Sequence, residues 1–150
     1  MSDVRAVVQF SVFLVNKPGV LAQVTRALAD EKINILAMTL VDSQEHGVLR
    51  LVAENLKAAR DVLSKLNLPM TETDVLCVDL PNESGALADI ATVLGTNHIN
   101  INYAYCTSGA PGGRTTGVFK TGDHAKATRL LQKGGKAHKE PDLHRSRGRR

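Results

Sequence analysis

The chain of 150 residues is 43% hydrophobic and 23% charged, enough apolar material for one comfortable core or for two small ones that share an interface. Its apolar runs stop far short of the ~20 residues that cross a bilayer, and Met1–Arg5 lacks the charged-then-apolar order of a secretory leader, so no membrane partner and a cytoplasmic location are expected. The formal net charge of +4 is uneven: residues 1–132 carry 12 Lys and Arg against 13 Asp and Glu, whereas residues 133–150 carry 7 against 2, so the nearly neutral body offers no distributed field for a polyanion and nucleic acid is disfavoured as its partner.

The elements can be read in chain order. Val8, Phe10, Val12 and Leu14 alternate with other residues, the period of a strand with one face buried. After the turn at Asn16–Gly19, Val20, Leu21, Val24 and Leu28 recur at steps of three and four, as one face of a helix does. Pro18 is expected in the first helical turn, where its missing N–H costs nothing, and Asn16 as the cap. Ile33–Val41 and Val48–Val52 read as a hairpin of strands, Leu56–Leu63 as a second helix, and Pro69–Thr73 as a short closing strand. From residue 74 the order starts again. Leu76, Val78 and Leu80 form a strand; Asn82–Gly85 a turn, with Ser84 able to cap; Ala86, Leu87, Ile90 and Leu94 a helix face; Ile99–Cys106 and Thr116–Lys120 two strands; Ala125–Leu131 a helix. The tail from Lys133 has neither alternation nor β-branched residues and reads as irregular or disordered, so the second unit is expected to lose its last strand or to borrow one from a partner subunit.

The restart is a true internal repeat. Residues 16–35 align without a gap onto residues 82–101, with eight identities in twenty: Asn16/Asn82, Gly19/Gly85, Leu21/Leu87, Ala22/Ala88, Leu28/Leu94, Ile33/Ile99, Asn34/Asn100 and Ile35/Ile101. Each unit is β-α-β-β-α-β, the ferredoxin-like arrangement, which makes the chain α+β with domains at 6–73 and 74–132 followed by the basic tail.

Other signals point to no catalytic or metal chemistry. Gly109–Gly117 is glycine-rich but lacks the phosphate-loop order and precedes no helix; it reads as a hairpin loop about three residues longer than Asp42–Gly47, suited to cover one pocket. The five histidines have no metal-ligand spacing, and no Ser, His and acid cluster can be named. Cys77 and Cys106 form no CxxC and read as buried small apolar residues. Tyr103 and Tyr105 share one strand face and suit packing or pocket lining.

The strand, the turn Asn16-Lys17-Pro18-Gly19-Val20-Leu21, the helix ending in Ile33-Asn34-Ile35, and their second-copy equivalents resemble the ACT domains of amino-acid-sensing regulatory proteins; the stretch Gly47–Arg50 is also similar to proteins made of two such domains. The resemblance covers residues 6–132. It implies two domains side by side, their sheets joined into one antiparallel sheet with helices on one face, and a small ligand held where they meet. The expected ligand-binding residues are therefore Asn16, Lys17, Pro18, Gly19, Val20, Leu21, Asn34 and Ile35, and in the second copy Asn82, Glu83, Ser84, Gly85, Ala86, Leu87, Asn100 and Ile101. The chemistry agrees, since a helix N-terminus presents free N–H groups to a carboxylate and a carboxamide can hold either end of a zwitterion. Lys17-Pro18 against Glu83-Ser84 makes the two pockets unequal. The expectation is a non-catalytic, cofactor-free regulator that binds a free amino acid or similar metabolite and acts through a homodimer or a regulated enzyme. Two further readings stand beside it: a regulatory subunit of an amino-acid biosynthetic enzyme, and an RNA-binding or structural ferredoxin-like module.

Overall fold

The alternation that opens the chain runs further back than Val8: Val4, Phe10, Val12 and Leu14 are all buried on one long strand, β1 (Asp3–Val15). A computed structural model of the chain describes residues 3–42, 46–110 and 112–134. After β1 come α1 (Val20–Asp30), β2 (Ile35–Asp42), β3 (His46–Ala53), α2 (Leu56–Ser64), β4 (Met70–Pro81), α3 (Ala86–Thr96), β5 (Ile101–Ala110), β6 (Arg114–Thr121) and α4 (His124–Gly134). The strands form one antiparallel sheet in the order β2-β3-β1-β4-β6-β5, so the twofold β-α-β-β-α-β reading holds. None of the helices is long and apolar enough to cross a membrane.

Two cores lie under the helices. Phe10, Val12, Val24, Leu28, Leu49, Leu51 and Leu63 pack in the first, and Leu76, Val78, Leu94, Phe119 and Ala127 in the second. The helix ends repeat as faithfully as the starts. Lys32 and His98, 66 residues apart, both adopt positive φ, 56° and 58°. Beyond them Ile33 donates to the Leu28 carbonyl at 3.0 Å and Ile99 to the Leu94 carbonyl at 2.9 Å, so each helix is closed by the same left-handed cap with an apolar residue behind it.

The two halves meet through β1 and β4, which pair from Asp3↔Asp79 to Val12↔Met70. Val8 faces Asp74, and these residues are themselves 66 apart, the offset of the repeat; the pseudo-twofold axis therefore passes through this pair. Each long strand serves both halves. Met70–Thr73 closes the first half beside β1, and the segment Asp3–Val8 stands in the symmetric place beside β4, with Val4 buried in the second core. The last strand of the second half is thus neither lost nor borrowed from another subunit; the start of the same chain supplies it. Pro69–Thr73, in turn, is not a separate short strand but the beginning of the twelve-residue β4.

The sheet curls away from its helices until the backbones of its edge strands, β2 and β5, approach within 8 Å. The helix-free face then closes over a small core of Ala37, Val52, Val75, Cys77 and Val118. Gln9, fully buried, ties that face together: its amide donates to the Tyr103 hydroxyl at 2.7 Å and to Ser11 Oγ at 3.3 Å, and the Tyr105 hydroxyl donates to its carbonyl at 2.8 Å. The Arg50 guanidinium lies 4.1 Å from the centre of the Tyr103 ring. Burial pushes the Cys77 thiol up to about 11 and raises the Tyr105 phenol above its ordinary range, so both stay protonated and structural at neutral pH.

Three local expectations change. Pro18 precedes the helix rather than entering its first turn, and neither Asn16 nor Ser84 caps, because Gly19 and Gly85 occupy the cap positions without a side-chain bond. Cys106 is exposed, on the edge strand β5. Strand pairing also continues well into Gly109–Gly117, leaving only residues 111–113 between β5 and β6. Leu40 faces Leu49 in one hairpin and Cys106 faces Gly117 in the other, so equivalent strands are 66 residues apart before the turn and 68 after it; the second hairpin is longer by two residues, not three. The tail beyond residue 134 lies outside the described residues.

Val4→Ala tests the shared strand. It should lower stability by about 2 kcal/mol in urea unfolding, the loss for a buried methyl pair in a packed core, although Val4 is only three residues from the N-terminus. A loss below about 0.5 kcal/mol, the size of an ordinary surface substitution, would remove residues 3–8 from the sheet.

Candidate functional site

The junction of strand, loop and helix has the same backbone in both copies. Lys17 N–H donates to the Val15 carbonyl and Glu83 N–H to the Pro81 carbonyl, both at 2.9 Å. Gly19 and Gly85 then turn left-handed, at φ 89° and 92°, immediately before α1 and α3. Gln23 N–H bonds to the Gly19 carbonyl and Asp89 N–H to the Gly85 carbonyl, so the first helical bond starts at the glycine itself. No side chain caps either helix at its glycine, and at α3 the Ala86 N–H bonds to the Glu83 carbonyl at 3.4 Å, so the partial positive charge of the α1 N-terminus is the more open to an outside acceptor.

Around the first of these junctions is a hollow of about 110 Å³, lined by Leu14, Val15, Asn16, Lys17, Val20 and Leu21 on one side and by Leu40, Val41, Asp42 and Gly47 on the other. The sheet order explains the meeting: β2 runs parallel to β1 with β3 between them, so the last residues of β2 arrive at the same end of the sheet as the loop. Asn16 Nδ2 donates to Asp42 Oδ1 at 3.4 Å across the mouth. A hydrogen placed at the Gly47 Cα keeps the wall thin, since a Cβ there would stand 3.4 Å from Leu40 Cδ1.

The expected site residues fall into separate groups. Asn16, Lys17, Val20 and Leu21 line this hollow; Pro18 and Gly19 form the exposed turn above it. Asn34 is at the far end of α1, an eleven-residue helix and so roughly 16 Å away at 1.5 Å per residue, where its carbonyl accepts from Glu54 N–H at 3.0 Å. It lines a different concavity with Glu31, Lys32 and Asn55. Ile35 packs half-buried against the first core. In the second copy Asn82, Glu83, Ser84, Gly85 and Leu87 are exposed around their turn, and Ala86 packs against the second core. Asn100 binds locally, accepting from Gly122 N–H at 2.8 Å and donating to Asn102 Oδ1 at 3.0 Å, and Ile101 packs behind it. The hollow around Asn16 therefore does not include Asn34, Asn82 or Asn100. It does include Leu40, Val41 and Asp42, which sequence reading left out as the end of a strand. The signal available was topological: in a ferredoxin-like order the second strand ends beside the first loop.

The profile of the ACT domain pair matches residues 5–140, and the chain belongs to that family. Among solved structures it is similar to protein BT0572 of Bacteroides thetaiotaomicron, at 29% identity and a TM-score of 0.79 over 88% of this chain and 90% of that one. It also shares the fold of the regulatory subunit of aspartate kinase from Thermus thermophilus in its ligand-free form, at 12% identity, TM-score 0.65, 89% and 96% coverage, and of the aspartokinase alpha and beta subunits, at 19% identity, TM-score 0.59, 91% and 97% coverage. No curated protein matches the chain in sequence.

The left-handed glycines give a direct test. A Cβ at Gly19 or Gly85 meets nothing within 4 Å, so Gly19→Ala and Gly85→Ala are disfavoured by backbone conformation alone and should each cost about 1–2 kcal/mol. Gly95→Ala, inside α3 with equally open space and no positive φ, should instead stabilise by up to about 1 kcal/mol. Urea midpoints for the three variants check the contrast.

Proposed function

We propose that the chain is a non-catalytic, amino-acid-binding regulatory protein, with modules at 6–73 and 74–132, and that its ligand sits in the hollow between the Asn16–Leu21 junction and the end of β2. The observation that carries this reading is the hollow itself, where a carboxylate, a carboxamide, an ammonium group and an open helix N-terminus converge beside apolar walls. A zwitterion needs that set: donors for its carboxylate and acceptors for its ammonium. The Cys77 thiol, protonated and buried, supplies no nucleophile.

Binding there links the start of α1 to the end of β2, and a ligand that prefers the linked arrangement shifts the protein toward it. The surface that changes is what a regulated enzyme or a second copy would read, in the cytoplasm. Likeness to regulatory subunits of aspartate kinase supports an enzyme as the listener. An RNA-binding role draws little support from the sheet: Tyr103 and Tyr105 are half-buried with their hydroxyls engaged at Gln9, and Phe10 and Phe119 are in the cores.

A thermal-shift screen against the twenty amino acids tests the proposal. A ligand at a hundred times its Kd adds about 2.7 kcal/mol of stability, so at least one amino acid should raise the unfolding temperature by several degrees. Asn16→Ala should abolish that shift and Asn82→Ala should leave it. Silence from all twenty rejects the function, and a shift untouched in Asn16→Ala rejects the site.

A further inference from the structure

The copies share their backbone at the junction but not their walls. Carrying the repeat offset along β2 places Cys106 at the position of Leu40, Thr107 at that of Val41 and Ser108 at that of Asp42; Ala86 stands for Val20, and Thr115, opposite Ser108, for Gly47. Every one of these changes makes the second junction more polar, smaller in apolar surface, or less charged. In the first copy the apolar character is also conspicuous from outside. Five large hydrophobic side chains are left exposed among the described residues, and one of them, Leu40 at 47%, stands over this hollow on the helix face of the sheet, where Leu14 also points, while Val15 and Val41 border it from strands that turn their side chains to the other face. With Leu14, Val20 and Leu21, Leu40 forms a surface that an apolar group would cover. Asp42 makes no ion pair among the described residues, its one side-chain contact being the 3.4 Å bond from Asn16.

On the reading that this hollow holds an amino acid, we infer that its ligand is one with a branched aliphatic side chain, that Asp42 receives its ammonium group, and that the second junction does not bind it. Leu14, Val20, Leu21 and Leu40 give the side chain its apolar walls, and Lys17 with the first amides of α1 faces the carboxylate. The size agrees: a hollow of about 110 Å³ accommodates an isopropyl or isobutyl group.

Titration calorimetry of the full chain with valine, leucine, threonine and alanine is the test. Valine and threonine have the same shape, so their ratio reports the polarity of the wall alone. Valine or leucine should bind at least ~10-fold tighter than alanine, from the lost methyl groups, and ~100-fold tighter than threonine, the rejection an apolar pocket gives a hydroxyl isostere. One site per chain is expected. Threonine binding as tightly as valine, or only a polar amino acid binding, overturns the inference and leaves the amino-acid reading standing; no binding by any amino acid overturns both. Leu40→Cys copies the second wall at an exposed position, and should narrow the preference of valine over threonine while keeping the unfolding midpoint; an undiminished preference removes Leu40 from the wall. Asp42→Asn should weaken valine binding by ~10-fold or more; unchanged affinity in a variant with an unchanged midpoint removes Asp42 from the ammonium's place.

Discussion

The pairing of β1 with β4 is the interaction on which the rest depends. Ten residue pairs, from Asp3↔Asp79 to Val12↔Met70, join the two halves, and each strand is long enough to be the opening strand of one half and the closing strand of the other. A β-α-β-β-α-β unit of this size buries too little surface to be secure alone. Here the second half completes its sheet with Asp3–Val8 from the start of the chain, while Met70–Thr73 closes the first half on the same strand that opens the second, so the two cores share one pair of strands: Val4 belongs to the second and Met70 packs on the first. The shared pairing also sets the curl that brings β2 and β5 together and buries Gln9 between Tyr103 and Tyr105 on the helix-free face.

Symmetry of the backbone leaves the side chains at the two junctions free to diverge. The glycines, the first helical bonds and the left-handed helix ends repeat because the chain can make the sharp strand-to-helix reversal in few ways, and Gly19 and Gly85 are the residues that permit it. The walls of the junctions carry no such constraint. Leu40, Val41 and Asp42 sit beside the first loop, while the polar network of the second half lies elsewhere, where Arg114 donates to the Asp79 carbonyl at 2.8 Å and Thr116 to the Asp79 carboxylate at 3.1 Å. A duplicated frame with one elaborated hollow is consistent with a protein that senses a single ligand and uses its other half as support.

Much of this was written in the sequence. The gapless repeat of residues 16–35 in 82–101 fixes the copy number and the topology, because eight identities at the turn and along the buried helix face are those that packing and backbone geometry demand. The closing strand of the second half was hidden for a physical reason: strand partners are set by tertiary pairing, and the missing segment lies at the opposite end of the chain, in the alternation of Val4, Ala6 and Val8 that extends the first strand backwards. Asn34 and Asn100 lie away from the hollow around Asn16: their backbone carbonyls accept from the Glu54 and Gly122 N–H groups, and the Asn100 carboxamide donates to Asn102. Asp42 was not among the expected site residues because neighbours across a sheet are set by strand order, and only that order brings it across from Asn16.

The proposed site is tested most directly by amide-resolved NMR of the labelled chain during titration with valine, which needs no substitution. Shifts confined at first to the amides of Lys17, Gly19–Leu21, Leu40–Asp42 and Gly47 are the predicted result. Perturbation centred on Glu83–Leu87 or on the Asn34 concavity, with the first junction silent, would contradict it.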